Sequence, residues 1–337
     1  LKFRRTKANT KYLLRLFGLI YVKSDPLSQT DSVSHTIPMS VTQIPIKVKP
    51  YRLPHSQQSE INTQVKTMLE QGVTEPSSSA WNSSLLLIPK KADSSGEKKF
   101  RIVADFRKIN DTTLGDAYPL PNITDILDQL GRSRYFTVLD LASGFHQIHM
   151  NPTDAEKTAF SNPFGHYQYK RLPMGLKGAP ACFQRLMDRV LIGIQGIKCF
   201  VYLDDIVIYA ENLREHEIKL KDVFDRLRQH NLKLQPDKCE FLRKEVSYLG
   251  HLVTDKGIRP DPAKVKAVRD FPVPTNVKQI KMFLGLAGYY RRFIPKFSHI
   301  AKPLNDLLKK DVTFTWNSAQ QLAFEELKGI LMNDIIL

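Results

Sequence analysis

Apolar positions along this chain follow two spacings, and each spacing assigns a kind of element. Short β-branched or aromatic runs bounded by polar turns read as strands: Leu85-Leu86-Leu87-Ile88, Phe100-Arg101-Ile102-Val103-Ala104-Asp105-Phe106, Tyr135-Phe136-Thr137-Val138-Leu139, Cys199-Phe200-Val201 and Ile206-Val207-Ile208-Tyr209. The basic stretch 90–96 reads as a hairpin loop, and 246–253 as strand-turn-strand around Gly250. Elsewhere apolar residues recur at three and four positions, as helices require. Ile61, Val65, Met68 and Leu69 form one such stripe, ended by Gly72. Val277, Ile280, Phe283, Leu284 and Ala287 form another, and Ile300, Leu304, Leu307 and Leu308 predict a further helix. Leu322, Ala323, Phe324, Leu327 and Leu331 predict the last, and helices are also expected near 122–130, 179–193 and 212–230. Strands mixed with helices, then a run of helices, predict an α+β chain with a helical subdomain toward the C-terminus. Residues 1–45 hold no sustained period and are rich in Ser, Thr and Lys, so a poorly ordered leader is expected there.

Two of the strand runs flank Tyr202-Leu203-Asp204-Asp205, which places paired carboxylates at a hairpin tip. Neighbours in a regular strand face opposite ways, so the pair shares one site only if the chain turns there. Asp-Asp is also ordinary turn chemistry, and a solvated turn is the plain alternative. Asp140 stands 64 positions before Asp204, at the end of its own strand run. Three carboxylates can then converge. Hard divalent cations take oxygen ligands, so Asp140 and Asp204 suit two Mg2+ ions, or Mn2+, about 3.5–4 Å apart, an arrangement that serves phosphoryl transfer.

Charge adds a partner class. Fifty Lys and Arg against 34 Asp and Glu give a net charge of +16 in 337 residues, an excess that favours a polyanion, nucleic acid first. Three widely spaced cysteines, Cys182, Cys199 and Cys239, offer neither a disulfide framework nor a zinc knuckle, and point to a reducing compartment. The apolar run 12–22 is too short to span a bilayer, carries Arg15 and lacks a cleavage pattern, so it does not read as a secretory signal. The first residue is Leu rather than Met, which suggests a piece of a polyprotein.

With Asp140 and the Tyr-Leu-Asp-Asp tip in hand, the flanking text resembles the reverse transcriptases of retroviruses and LTR retrotransposons, in particular the gypsy type. Five blocks agree in order. They are Phe100-Arg101-Ile102-Val103-Ala104-Asp105-Phe106-Arg107-Lys108-Ile109-Asn110, Asp116-Ala117-Tyr118-Pro119-Leu120-Pro121, Leu139-Asp140-Leu141-Ala142-Ser143-Gly144-Phe145-His146-Gln147-Ile148, Leu172-Pro173-Met174-Gly175-Leu176-Lys177-Gly178-Ala179-Pro180 and Tyr202-Leu203-Asp204-Asp205. The resemblance runs from about Ile44 to the C-terminus. It implies a right-hand polymerase fold, with a mixed-strand palm sheet and a helical thumb. Fingers are expected at 46–114 and 148–178, palm at 115–147 and 179–255, thumb at 256–311, and at 312–337 the start of a tether toward a ribonuclease H domain that this chain lacks.

The same resemblance implies residue roles. Asp140, Asp204 and Asp205 match the catalytic, metal-holding carboxylates, Asp205 in a supporting part. Lys90 and Arg101 match cations that hold the incoming triphosphate, Arg101 with bidentate geometry. Ser143 and Gly144 follow Asp140 where backbone N–H groups meet phosphate, and Phe145 matches a ring beneath the sugar that excludes a 2′-hydroxyl. Met174 stands where such enzymes carry Gln or Phe, which implies altered packing against the base pair or template. Tyr202 and the Leu249-Gly250-His251 hairpin match the primer end, while Lys281, Gly285 and Tyr289, four residues apart, match a track along the duplex. The implied activity is RNA-directed DNA synthesis with dNTPs and a primed RNA or DNA template, inside the cell, in the cytoplasm and virus-like particles. Without protease, ribonuclease H or integrase motifs, synthesis without RNA-strand degradation is expected. Two rivals stay open: an RNA polymerase on the same palm, and a degenerate or co-opted copy that binds nucleic acid without synthesis.

Overall fold

Phe200-Val201 and Ile206-Val207-Ile208 leave no face for solvent, and in the computed structural model, which describes residues 28–89, 100–131 and 133–333, they lie fully inside. They form the antiparallel strands Cys199–Tyr202 and Asp205–Ala210, registered with Asp205 opposite Tyr202. The sheet order is Glu240–Arg243, Tyr135–Asp140, Asp205–Ala210, Cys199–Tyr202, so the strand that ends in Asp140 lies beside the one that begins with Asp205.

The chain divides into two compact units, the first drawn from Leu1–Pro121, Val138–Ile208 and Glu217–Phe241, the second from Asn122–Thr137, Tyr209–His216 and Leu242–Leu337. In the first unit the sheet packs in one core with helix Ala179–Val190, through buried Leu139, Val201, Ile206, Phe183, Leu186, Met187 and Val190. Around this core lie the antiparallel pair Leu85–Pro89 and Phe100–Ala104, and a three-stranded sheet of Thr74–Pro76, Gly165–Tyr169 and Phe160–Asn162. Helix His55–Glu70 buries Ile61 and Val65 and gives way at Gly72, whose φ of 65° suits a residue without Cβ. Thr30–His35 pairs in parallel with Ile148–Met150, and Ile37 is in the core. Residues 30–37 therefore depart from the loose leader that their composition predicts, because strand pairing and the burial of Ile37 dock them; residues 1–27 lie outside the described residues.

The second unit holds an antiparallel meander, Glu245–Tyr248, His251–Thr254 and Gly257–Pro260. Helices Ile123–Leu130, Pro262–Arg269, Val277–Tyr289 and Ser318–Met332 complete most of it, with Asn122, Asp261, Asn276 and Asn317 capping their first turns. The helical stripe becomes core, and Phe283 meets Phe324 with ring centroids 4.5 Å apart. The single helix expected through Ile300 and Leu308 is instead two, Phe297–Ile300 and Lys302–Asp306. Pro303 has no N–H to give the carbonyl of His299, which breaks the ladder there. Among the described residues, no helix is long and apolar enough to cross a membrane.

Candidate active site

The turn that joins Cys199–Tyr202 to Asp205–Ala210 contains only Leu203 and Asp204, so Asp204 lies in the turn and Asp205 opens the next strand. Leu203 takes a left-handed φ of 55°, a conformation that costs a bulky residue about 1–2 kcal/mol. A buried side chain anchors it. The Leu203 N–H donates to Gln184 Oε1 at 2.9 Å, and Gln184 is 0 % exposed. Gln184 Nε2 in turn donates to Asp188 Oδ1 at 2.9 Å, whose other oxygen accepts from the Tyr118 hydroxyl at 2.6 Å. The Arg185 guanidinium sits 4.6 Å over the Tyr118 ring and holds both oxygens of Asp116 at 2.8 Å. The Asp-Ala-Tyr-Pro block and the carboxylate hairpin are thus tied together through one helix. Neither Gln184 nor Asp188 was legible beforehand, since both sit in an ordinary amphipathic pattern.

Asp140 is held from behind. Its N–H donates to Cys239 Sγ at 3.4 Å and its carbonyl accepts from the Gln235 N–H at 2.9 Å. Lys238 Nζ lies 3.2 Å from both carboxylate oxygens. Burial pushes the Asp140 carboxyl above the ordinary range, Lys238 opposes this, and the charge of Asp204 adds to it. Asp205 is pushed up to about 6, first by burial and then by the charges of Asp204 and Asp140. The three carboxylates therefore share one electrostatic neighbourhood. Among the described residues no three His, Cys, Asp or Glu side chains are gathered closely enough to hold an ion, and the cation on Asp140 is the ammonium of Lys238. The donor chemistry, oxygen only and with surplus negative charge, fits Mg2+ or Mn2+ rather than a softer ion.

The neighbours of this centre divide by position. Ser143 has φ 49° and leads into the turn Gly144–Gln147, where a Cβ on Gly144 would meet the Phe183 ring at 3.1 Å. Glycine is what lets the turn lie against that ring. Phe145 is half-buried, its ring centroid 4.9 Å from that of Phe183. Gln147, fully buried, fixes the turn by donating to the carbonyls of Ala142 and Lys233 at 2.8 and 2.9 Å. Arg101 is exposed on Phe100–Ala104, and its Nη1 approaches Met174 Sδ at 3.6 Å. The loop after Met174 is pinned by Asn110, which donates to the Gly175 carbonyl and accepts from the Lys177 N–H, both at 2.8 Å. Lys90 lies outside the described residues. Tyr202 is half-buried beside the hairpin tip.

Within the second unit, the Leu249-Gly250-His251 hairpin meets Tyr289, whose hydroxyl donates to the Leu249 carbonyl at 2.7 Å. Lys281 and Gly285 are exposed on the same helix as Tyr289.

Residues 88–253 match the family model described as reverse transcriptase (RNA-dependent DNA polymerase). The chain belongs to the reverse transcriptase family. This reverse transcriptase domain is 44% identical over 344 residues to the retrovirus-related Pol polyprotein from transposon 297 of Drosophila melanogaster, an alignment covering 100% of this chain and 32% of the relative. It is 41% identical to the Pol polyprotein from transposon gypsy of the same organism, over 82% of this chain and 28% of the relative. The Tf2-3 polyprotein of Schizosaccharomyces pombe is 33% identical over 87% of this chain and 22% of its own length. The chain thus spans about a third or less of these curated relatives. Among solved structures, the foamy viral protease-reverse transcriptase in complex with RNA/DNA hybrid superposes with a TM-score of 0.83 at 26% identity, covering 100% of this chain and 45% of that one. The same enzyme's dRH form in complex with dsDNA gives 0.86 at 26% identity, covering 100% and 59%. The reverse transcriptase has the right-hand polymerase fold and belongs to the RNA-directed DNA polymerase class.

Proposed function

We propose that this chain is the synthetic part of a Pol polyprotein and extends a primer 3′-hydroxyl with deoxynucleoside triphosphates on an RNA or DNA template. One observation carries the reading: the strand that ends in Asp140 lies beside the strand that begins with Asp205, and Asp205 is raised to about 6, first by burial and then by the charges of Asp204 and Asp140. Such a surplus of half-buried negative charge is what a divalent cation neutralises. Held by Asp140 and Asp204, with Asp205 in support, two Mg2+ ions would activate the 3′-hydroxyl and offset the charge of the triphosphate.

The remaining roles belong to side chains. Lys238 favours the ionised form of Asp140, and Gln184 keeps the hairpin tip in its strained shape. Arg101, with Lys90, receives the triphosphate, and Met174 supports the Arg101 guanidinium. The backbone at Ser143 and Gly144 faces the phosphates, and the Phe145 ring, braced by Phe183, excludes a ribose 2′-hydroxyl. In the first unit Tyr202 serves the primer; in the second unit Leu249-Gly250-His251 is the primer-end hairpin, and Lys281, Gly285 and Tyr289 follow the duplex with salt-dependent, sequence-tolerant contacts. Fingers, palm and thumb follow the boundaries given above, and the working place is the cytoplasm and virus-like particles. Support for a nucleic-acid partner comes from the foamy viral neighbours, which are described with RNA/DNA hybrid and dsDNA.

Primer extension on poly(rA)/oligo(dT) with Mg2+, with binding measured in parallel, tests the reading. The wild type is expected to extend with dTTP and to use UTP poorly, and Asp204→Asn to abolish extension while primer-template affinity stays within about twofold, because the residue acts on the transition state alone. Binding without extension by the wild type would establish the non-synthetic rival instead.

A further inference from the structure

At the hairpin tip of the second unit, Tyr248 pairs with His251, and both intervening residues are left-handed, Leu249 at φ 46° and Gly250 at φ 71°. This is the sign pattern of a type I′ turn, which suits Asn-Gly but not Leu-Gly, since the leucine Cβ crowds the next carbonyl. Hydrogen bonds converge on the two tip carbonyls. Leu249 O accepts from the Tyr289 hydroxyl and from His251 Nδ1, each at 2.7 Å. A carbonyl only accepts, so Nδ1 carries the imidazole proton. Gly250 O accepts from the Tyr290 hydroxyl at 2.9 Å and the Asp261 N–H at 3.1 Å. His251 is 2 % exposed and lies 5.5, 5.4 and 5.7 Å from the rings of Tyr289, Tyr290 and Phe293. A Cβ on Gly250 would meet both tyrosines at 3.3 Å, so the rings press directly on the turn.

We propose that Tyr289 and Tyr290 are positioning residues, a pair of hydroxyl clamps that hold the Leu249-Gly250 turn in its strained shape and fix it to the end of helix Val277–Tyr289. The functional side of this inference rests on the polymerase reading, in which the hairpin seats the primer end. Tyr289 then has two duties. Its hydroxyl is committed to the hairpin, while the residue, 46 % exposed, keeps a surface for the duplex. Helix and hairpin move as one piece, so the primer terminus keeps its place when the duplex advances.

The full chain, the Tyr289→Phe/Tyr290→Phe pair and the same pair with Leu249→Asn separate the possibilities, because Asn accepts the left-handed region that Leu resists. Four quantities are read: extension kcat on poly(rA)/oligo(dT), KM for dTTP, melting temperature, and amide hydrogen exchange across 246–253. Losing the hydroxyls is expected to lower kcat and speed hairpin exchange, each by roughly two- to tenfold per hydrogen bond, with KM within about twofold and melting little changed. Leu249→Asn should restore both. Wild-type exchange in the double variant overturns the clamp, and so does a kcat loss that Leu249→Asn leaves in place. If the wild type fails to extend the primer, the polymerase reading falls, and the exchange measurement decides the clamp by itself.

Discussion

Replacing Asp205 by Asn should make this protein more stable near neutral pH, although it removes a proposed active-site carboxylate. The folded protein holds the Asp205 carboxyl at about 6 against an ordinary 3.8, chiefly through burial and then through Asp204 and Asp140. That difference corresponds to a ceiling of about 3 kcal/mol. Asp205 is only half-buried, so solvent screening reduces the expected gain to about 1 kcal/mol, or roughly 1–2 °C in melting temperature. The sign follows from proton binding. Between 3.8 and about 6 the folded chain binds more protons than the unfolded one, so the wild type is favoured below about pH 4 and loses that stability as pH rises through about 6. Asn carries no charge to repel, so the advantage of the variant opens over this window and is level above about pH 7. Thermal melts of both proteins from pH 4 to 8, with and without Mg2+, measure it. Mg2+ should raise the melting temperature of the wild type above pH 6 and move the variant little, because the ion stabilises the state it binds. A variant that melts at or below the wild type at pH 8, with no pH-dependent gap, would refute the argument that burial, together with the charges of Asp204 and Asp140, penalises the ionised Asp205.

Other substitutions test the neighbours of the centre. Gln184→Leu keeps the volume but leaves the Leu203 N–H without its acceptor, at a cost of about 1–3 kcal/mol, so kcat should fall about tenfold or more with KM for dNTP little changed; wild-type kcat would mean that the tip holds its shape unaided. Phe145→Val should raise ribonucleotide use relative to deoxyribonucleotide by roughly tenfold in competition assays. An unchanged ratio would leave the ring with no task beyond packing on Phe183.

Most strands and helices, Asp140 at a strand end and Asp204-Asp205 at a hairpin tip were legible in the chain because each depends on local spacing. Period two or period 3.6 states which face is buried, and a Tyr-Leu-Asp-Asp stretch between two buried runs has to turn. Motif blocks in order then identified the family and its fold. What tertiary structure alone decided involves partners distant in sequence, for which spacing has no code. Gln184 reaches Leu203 across 19 positions and Lys238 reaches Asp140 across 98, and no periodicity distinguishes either from an ordinary helix or turn residue. The left-handed leucines at 203 and 249 are of the same kind, since local preference opposes them and only anchoring from a neighbouring element holds them. The docking of Thr30–His35 beside Ile148–Met150 was hidden for a related reason: its polar composition argues for solvent, and burial of a few side chains against a distant strand outweighs it.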